Sequence, residues 1–287
     1  MENGRLSQTA VSAAAARAAH LLVDGEPHIF RDTLAATLLD GLADEMIGYH
    51  RTHGDHIILA GTRAITTARG RYTEDRVARL GSPARYVILG AGLDTFAYRT
   101  PREAGVQVVE IDHPATQKGK LALLESAGIP VPENVTFVPA DFESAPFTGL
   151  SPSPLPTLVS WLGVSVYLTR EAIEATLAAV AALGPGTQFI MEYMLPAGLR
   201  DSTGNSYADI ATQAVSDRGE PYATFLTPEE VADLLTGQGF EVLEQTSMRE
   251  AVPAALWTRD DALRPFAFTH LVHATTTPSS RSRTGRR

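Results

Sequence analysis

The chain has 287 residues, 44% of them hydrophobic and 20% charged, with a formal net charge of −9. That length suits one large domain or two small ones around a sizeable core. The acidic balance excludes a general nucleic-acid binder, which needs clustered basic charge. The absence of cysteine removes disulfide scaffolds, thiolate metal sites and thiol nucleophiles.

The first eighty residues read as helical. Ser12 to Val23 is rich in Ala and Leu and stops at Asp24-Gly25. Its Ala-rich beginning, with Glu2 ahead of it, does not read as a secretory signal, and no run approaches the ~20 apolar residues of a membrane span. A cytoplasmic protein is the expectation. Asp32 is placed to cap a second helix carrying Leu34, Leu38, Leu39 and Leu42 at helical spacing. Asp55 to Leu80 is a third, arginine-rich stretch, with Gly61 and Gly70 as points at which it can split.

From Arg85 onward short apolar runs alternate with helical patterns. Tyr86–Leu89, Val106–Ile111, Asn134–Val138, Thr157–Leu162 and Thr187–Tyr193 read as strands buried on both faces. Helices are expected at Pro114–Ser126 and Arg170–Leu183, which makes the sheet parallel and helix-covered. Pro146 to Pro156 reads as a loop, and Pro196 to Pro221, polar and weakly patterned, as a lid. Thr227-Pro-Glu-Glu230 opens a further helix, and Phe240–Thr246 and Phe266–Ala274 close the sheet. The expected organisation is therefore an N-terminal helical region (1–82), an α/β domain with a Rossmann-like, seven-stranded, mostly parallel sheet (83–274, lid about 196–222) and a disordered tail (275–287).

The chemistry concentrates after the first strand. Gly90-Ala91-Gly92 lets the backbone turn sharply and approach a ligand without a Cβ in the way. Twenty-two residues on, at the tip of the second strand, Asp112 is spaced to accept hydrogen bonds from ribose hydroxyls. The third glycine of the dinucleotide fingerprint is replaced by Thr95, which disfavours a pyrophosphate and suits S-adenosylmethionine, and no phosphate-binding Gly-Lys-Ser/Thr loop is present. His50, His53 and His56 lie three residues apart, but Gly54 interrupts them and no zinc-protease pattern accompanies them, so no metal is expected.

Several motifs, in order, resemble the bacterial branch of the leucine carboxyl methyltransferase-like family of S-adenosylmethionine-dependent methyltransferases. They are Thr67-Ala-Arg69-Gly-Arg71-Tyr-Thr-Glu-Asp75, Val87-Ile-Leu-Gly-Ala-Gly-Leu-Asp-Thr-Phe-Ala-Tyr-Arg99 and Glu110-Ile-Asp-His-Pro114 with Lys120. Val138-Pro-Ala-Asp-Phe142 and Pro156-Thr-Leu-Val-Ser-Trp-Leu-Gly-Val-Ser-Val-Tyr-Leu168 follow. The likeness runs from about Ala10 to Tyr193.

It implies that Arg69 holds the cofactor carboxylate, that Gly90, Ala91 and Gly92 pass under the methionine part, that Asp112 takes the ribose, and that Asp141 and Phe142 border adenine. Many relatives carry an acid where this chain has Leu162, so that contact is lost, with Trp161 or Tyr167 shaping the pocket instead. Tyr98, Arg99 and Tyr193 are candidate borders of an acceptor site. His113 and His56 are candidate bases without a spacing signature, and no catalytic residue is assigned. The expected activity is O-methylation of a carboxylate or hydroxyl on a small secondary metabolite. A nicotinamide-dependent oxidoreductase and a catalytically silent binding protein of the same fold are the alternatives.

Overall fold

The computed structural model describes residues 7–145, 147–217 and 219–278. The chain opens with four helices, α1 (Gln8–Val23), α2 (Ala35–Leu39), α3 (Ala43–His53) and α4 (Ile57–Arg79). β1 (Ala84–Leu89), α5 (Phe96–Arg99), β2 (Val106–Asp112), α6 (Pro114–Ser126), β3 (Val135–Pro139) and β4 (Thr157–Trp161) follow. Then come α7 (Arg170–Ala181), β5 (Gln188–Met194), α8 (Ser202–Ser216), α9 (Pro228–Gly237), β6 (Phe240–Ser247) and β7 (Thr269–Thr276).

The seven strands form one sheet in the order β3-β2-β1-β4-β5-β7-β6. The first five run parallel, and β7 enters antiparallel between β5 and β6. β1 and β4 are buried along their whole length, which is why each reads as an uninterrupted apolar run. Chain order reverses between β1 and β4. A crevice opens there, outside the carboxyl ends of the strands, because the connections on its two sides leave in opposite directions.

One core layer packs Val159, Trp161 and Phe189 against Ile173, Leu177 and Val231 of the covering helices. The opposite face carries Tyr72, Tyr86, Phe96 and Ile190. The N-terminal helices add an alanine-rich cluster of Ala14, Ala15 and Ala18 with Leu38 and Leu39. Small side chains let α1 pack closely on its neighbours.

Three expectations from sequence need correction. α4 is unbroken: a Cβ on Gly61 would stand 2.6 Å from the Tyr207 ring and one on Gly70 3.2 Å from Phe30, so both glycines admit neighbouring aromatics rather than split the helix. The Pro196–Pro221 segment contains α8, a helix of 15 residues capped by Asp201, whose Tyr207, Ala208, Ala211 and Val215 are buried. At the C-terminus, the last strand runs through Thr276, so Thr275 and Thr276 belong to the sheet. The rest of the anticipated tail, from residue 279, lies outside the described residues. No helix among the described residues is long and apolar enough to cross a membrane.

Candidate functional site

At the crevice, strand ends and N-terminal helices enclose a cavity of about 940 Å³, near the upper end of the range for small-molecule sites. α1 contributes Ala10 and Arg17, α4 contributes Thr62, Thr66 and Arg69, and α8 contributes Tyr207 and Ala211.

Its floor is the turn after β1. Gly90 has φ +67°, and a Cβ there would lie 2.3 Å from Cγ2 of Val164, so only glycine fits. The Gly90 N–H donates to Ile111 O (2.7 Å), tying the turn to β2. One residue further, Asp112 ends β2 and its carboxylate accepts the N–H of Gly92 (2.5 Å) and of His113 (2.6 Å). Burial pushes the Asp112 carboxyl above its ordinary value, and those two N–H groups oppose the shift. The carboxylate is thus fixed on the cavity wall by backbone, with acceptor capacity left for a ligand. His113 caps α6 through Nδ1, and His56 caps α4 in the same way.

Across the cavity, Arg69 donates through Nη1 to Oε2 of Glu192 on β5. Glu192 is buried, and its Oε1 has no hydrogen-bond partner among the described residues. Gly163 makes room for the arginine: its φ is +70°, and a Cβ would fall 2.6 Å from Arg69 Nη1. Ser165 Oγ donates to Glu192 O (2.8 Å), anchoring the turn after β4 to β5. Leu162 lies beside this pair on the cavity wall. Glu192 is the single acid of β5, inside a mostly apolar run that gives no sequence signal.

Two further ionic groups support the wall. Asp32 receives Arg17 Nε (2.8 Å) and the Thr95 hydroxyl (2.6 Å). Burial opposes its ionisation, but Arg17 and Arg99 outweigh that and hold it below the ordinary carboxylate range. Arg99 also pairs with Glu74 (2.5 Å). Burial raises Glu74 to about 7 despite that arginine.

The structure brings Arg69, Gly90, Ala91, Gly92, Asp112, Asp141 and Arg99 to this one cavity, together with Tyr167. Four expected residues do not line it. Phe142 and Trp161 are packed into the core, their rings 6.0 Å apart. Tyr193 is buried, with its hydroxyl donating to Gln245 (2.5 Å), and Tyr98 stacks beside the Lys120 ammonium, 5.1 Å from the ring centroid. Trp161 and Tyr193 lie in strands, Phe142 in the turn after β3 and Tyr98 in α5, each next in sequence to a cavity-lining residue. Among the described residues there is no group of three or more side chains able to hold a metal ion.

Sequence reasoning missed Glu192, and considered His50 only within a histidine cluster that lacks a metal pattern. His50 Nδ1 accepts from Arg63 Nη1 (3.1 Å), while Arg63 makes a buried two-point ion pair with Asp24 (2.8 and 2.9 Å). Burial first, and the Arg63 charge second, lower His50 to about 4. The ring is therefore neutral over the physiological range.

Comparison with known proteins bears on this arrangement. YktD of Bacillus subtilis (strain 168), named as a S-adenosyl-L-methionine-dependent methyltransferase, is 32% identical over 196 residues, which are 66% of this chain and 64% of YktD. Rv3399 of Mycobacterium tuberculosis (strain ATCC 25618 / H37Rv), with the same kind of name, is 30% identical over 196 residues, 64% of this chain and 54% of that protein. The chain thus spans less than two thirds of the length of these relatives. A solved DUF574 family protein from Streptomyces avermitilis MA-4680 aligns over 92% of this chain and 97% of its own, with 16% identity and a TM-score of 0.57, a likeness of fold. Residues 10–181 match the family described as Leucine carboxyl methyltransferase, and they include the Arg69, Gly90–Gly92, Asp112 and Asp141 positions just described. The chain belongs to the leucine carboxyl methyltransferase family.

Proposed function

We propose that this chain is a S-adenosylmethionine-dependent methyltransferase that transfers a methyl group to an oxygen, carboxylate or hydroxyl, of a small molecule bound in the 940 Å³ cavity. The observation that carries the reading is Asp112: an acid at the tip of β2, fixed by the Gly92 N–H directly beside the turn that a cofactor would cross.

The residues present fit the cofactor. Arg69 and Glu192 set a cation and a buried anion side by side, with Glu192 Oε1 still lacking a partner, which matches the carboxylate and ammonium of an amino-acid end. Gly90 to Gly92 form a floor without side-chain obstruction, Asp112 meets the ribose, and Asp141 faces the adenine end. Phe142 does not line the cavity, and its ring is in the core.

When bound, the cofactor supplies an electrophilic methyl group: its carbon takes a lone pair from the acceptor oxygen while the electron pair of the broken S–CH₃ bond stays on sulfur. The protein's task is alignment and exclusion of water. Arg69, Asp112 and the glycine turn hold one reactant at three points. Tyr207 and Ala211 of α8, with Tyr222 after it, wall the other side of the same cavity. A carboxylate acceptor arrives without a proton to lose, so only a hydroxyl acceptor requires a proton to depart.

Incubation with methyl-deuterated cofactor and a panel of carboxylic acids and phenols, followed by mass spectrometry, tests the reading. A product carrying the labelled methyl on oxygen is expected. Absence of labelled product across the panel and in cell extract would overturn it.

A further inference from the structure

The glycines that open the cavity floor are conformationally free by themselves, so something outside them must fix the turn. Gly90 and Gly92 have φ of +67° and +48°. β2 holds the first half: Ile111 O accepts the N–H of Gly90 (2.7 Å) and of Ala91 (3.3 Å), and Asp112 accepts that of Gly92. The second half, Leu93 to Thr95, is held by side chains from the N-terminal helices and α5.

Thr95 is the anomaly. It stands at the N-cap of α5, where a threonine hydroxyl ordinarily accepts an N–H of its own helix, yet it makes no such bond. Asp94 Oδ1 accepts the Phe96 N–H instead (2.8 Å). The Thr95 hydroxyl donates to Asp32 Oδ1 (2.6 Å) and accepts from Arg99 Nε (2.7 Å). The residue in the place of the third fingerprint glycine is thus a side-chain anchor.

Asp32 gathers the other ties. Its Oδ1 also accepts the N–H of Leu34 (3.2 Å) and of Ala35 (3.0 Å), and its Oδ2 accepts Arg17 Nε (2.8 Å). The same arginine donates through Nη2 to Leu93 O (2.6 Å). Arg99 continues the chain to Glu74 on α4. α1, the start of α2 and α4 are therefore all fastened to Leu93–Thr95. α1 passes so close over the turn that a Cβ on Gly92 would stand 3.0 Å from the Ala10 Cβ. Asp32 and Thr95 are buried, and neither lines the cavity. Desolvation offsets much of the attraction in a buried ionic cluster, so the directions of these bonds matter more here than their energy.

We infer that Asp32 and Thr95 are positioning residues for cofactor binding: they hold the second half of the glycine turn, with α1 over it, where Gly90 to Gly92 can pass under the ligand. The inference rests on the methyltransferase reading and extends it to two residues that touch neither reactant. The molecule supplies a control. Asp24 is equally buried and accepts two bonds from Arg63 and one from His20, but these join the end of α1 to α4 and do not reach the turn.

Calorimetric titration of S-adenosylhomocysteine into the full chain and four variants, with urea unfolding of each, is the test. Thr95→Val removes the hydroxyl and should weaken binding about tenfold, whereas Thr95→Ser, which keeps it, should stay within about threefold of the parent. Asp32→Asn keeps an acceptor for the α2 cap but loses the charge, and should also weaken binding about tenfold. Asp24→Asn should lose stability too, yet bind within about threefold of the parent. Thr95→Val binding like the parent, equal losses in Thr95→Val and Thr95→Ser, or as large an affinity loss in Asp24→Asn as in Asp32→Asn would overturn the proposal. Should either aspartate variant not fold, the two Thr95 variants decide alone. A parent chain that binds no S-adenosylhomocysteine overturns the methyltransferase reading; a parent that binds it without the expected variant pattern overturns only this inference.

Discussion

Arg69 on α4 and Glu192 on β5 form an ion pair across 123 positions of sequence, on the wall of the cavity that the strand ends enclose. The pair fastens an N-terminal helix to the centre of the sheet. It also places a cation and a half-satisfied anion where a zwitterionic group can be received.

Removing the cation alone is predicted to be costly. Arg69→Met leaves Glu192, whose side chain is 3% exposed, as an uncompensated buried charge, at about 3 kcal/mol of stability. Combining it with Glu192→Gln should recover much of that loss. Urea unfolding of the two single variants and the double variant checks it; strictly additive losses would show that the pair contributes no coupling.

Gly163 tests how the arginine is aimed. Alanine there meets φ +70° and puts a methyl 2.6 Å from Arg69 Nη1. The left-handed conformation itself costs about 1–2 kcal/mol. Gly186 has φ +80° with open space around its Cβ position, so Gly186→Ala carries the same strain without touching the site. Both variants should lose similar stability, while only Gly163→Ala should bind S-adenosylhomocysteine about tenfold or more weakly by calorimetry.

His50 gives a pH dependence with a definite sign. Its folded value of about 4 lies below the ordinary histidine value of 6.5, so between these limits the unfolded chain binds more protons. Stability therefore rises with pH across that window and is lost as pH falls from 6.5 toward 4. The contribution amounts to roughly 3 kcal/mol at one pKa unit per 1.36 kcal/mol. Denaturant titrations at pH 7 and pH 4.5 should show a smaller acid loss for His50→Gln than for the parent. Equal losses would mean that His50 does not titrate in this way.

Much of the fold was legible because parallel strands buried on both faces leave an unmistakable apolar run, as in Tyr86–Leu89 and Thr157–Trp161. The Gly90 turn and Asp112 were legible for a different reason: adjacent strand tips impose a spacing. α8 was not, because its buried face is built largely from Ala208, Ala211 and Gly204 around Tyr207, residues that barely raise an apolar periodicity. Glu192 was hidden as one acid inside a core strand, meaningful only once Arg69 is folded against it. Phe142 and Tyr193 show the converse. Both adjoin cavity residues in sequence, but their rings turn into the core, Tyr193 by alternation along β5 and Phe142 in the turn after β3.

The most direct measurement is a calorimetric titration of S-adenosylhomocysteine into the parent chain and into Asp112→Ala. Asp112 is held on the cavity wall by the Gly92 N–H, and a hydrogen bond to a charged group contributes about 1.5–3 kcal/mol. The parent should bind one equivalent, and the variant should bind about 10–100-fold more weakly with its fold intact by circular dichroism. Equal affinity in the two proteins would contradict the assignment of this cavity as the cofactor site.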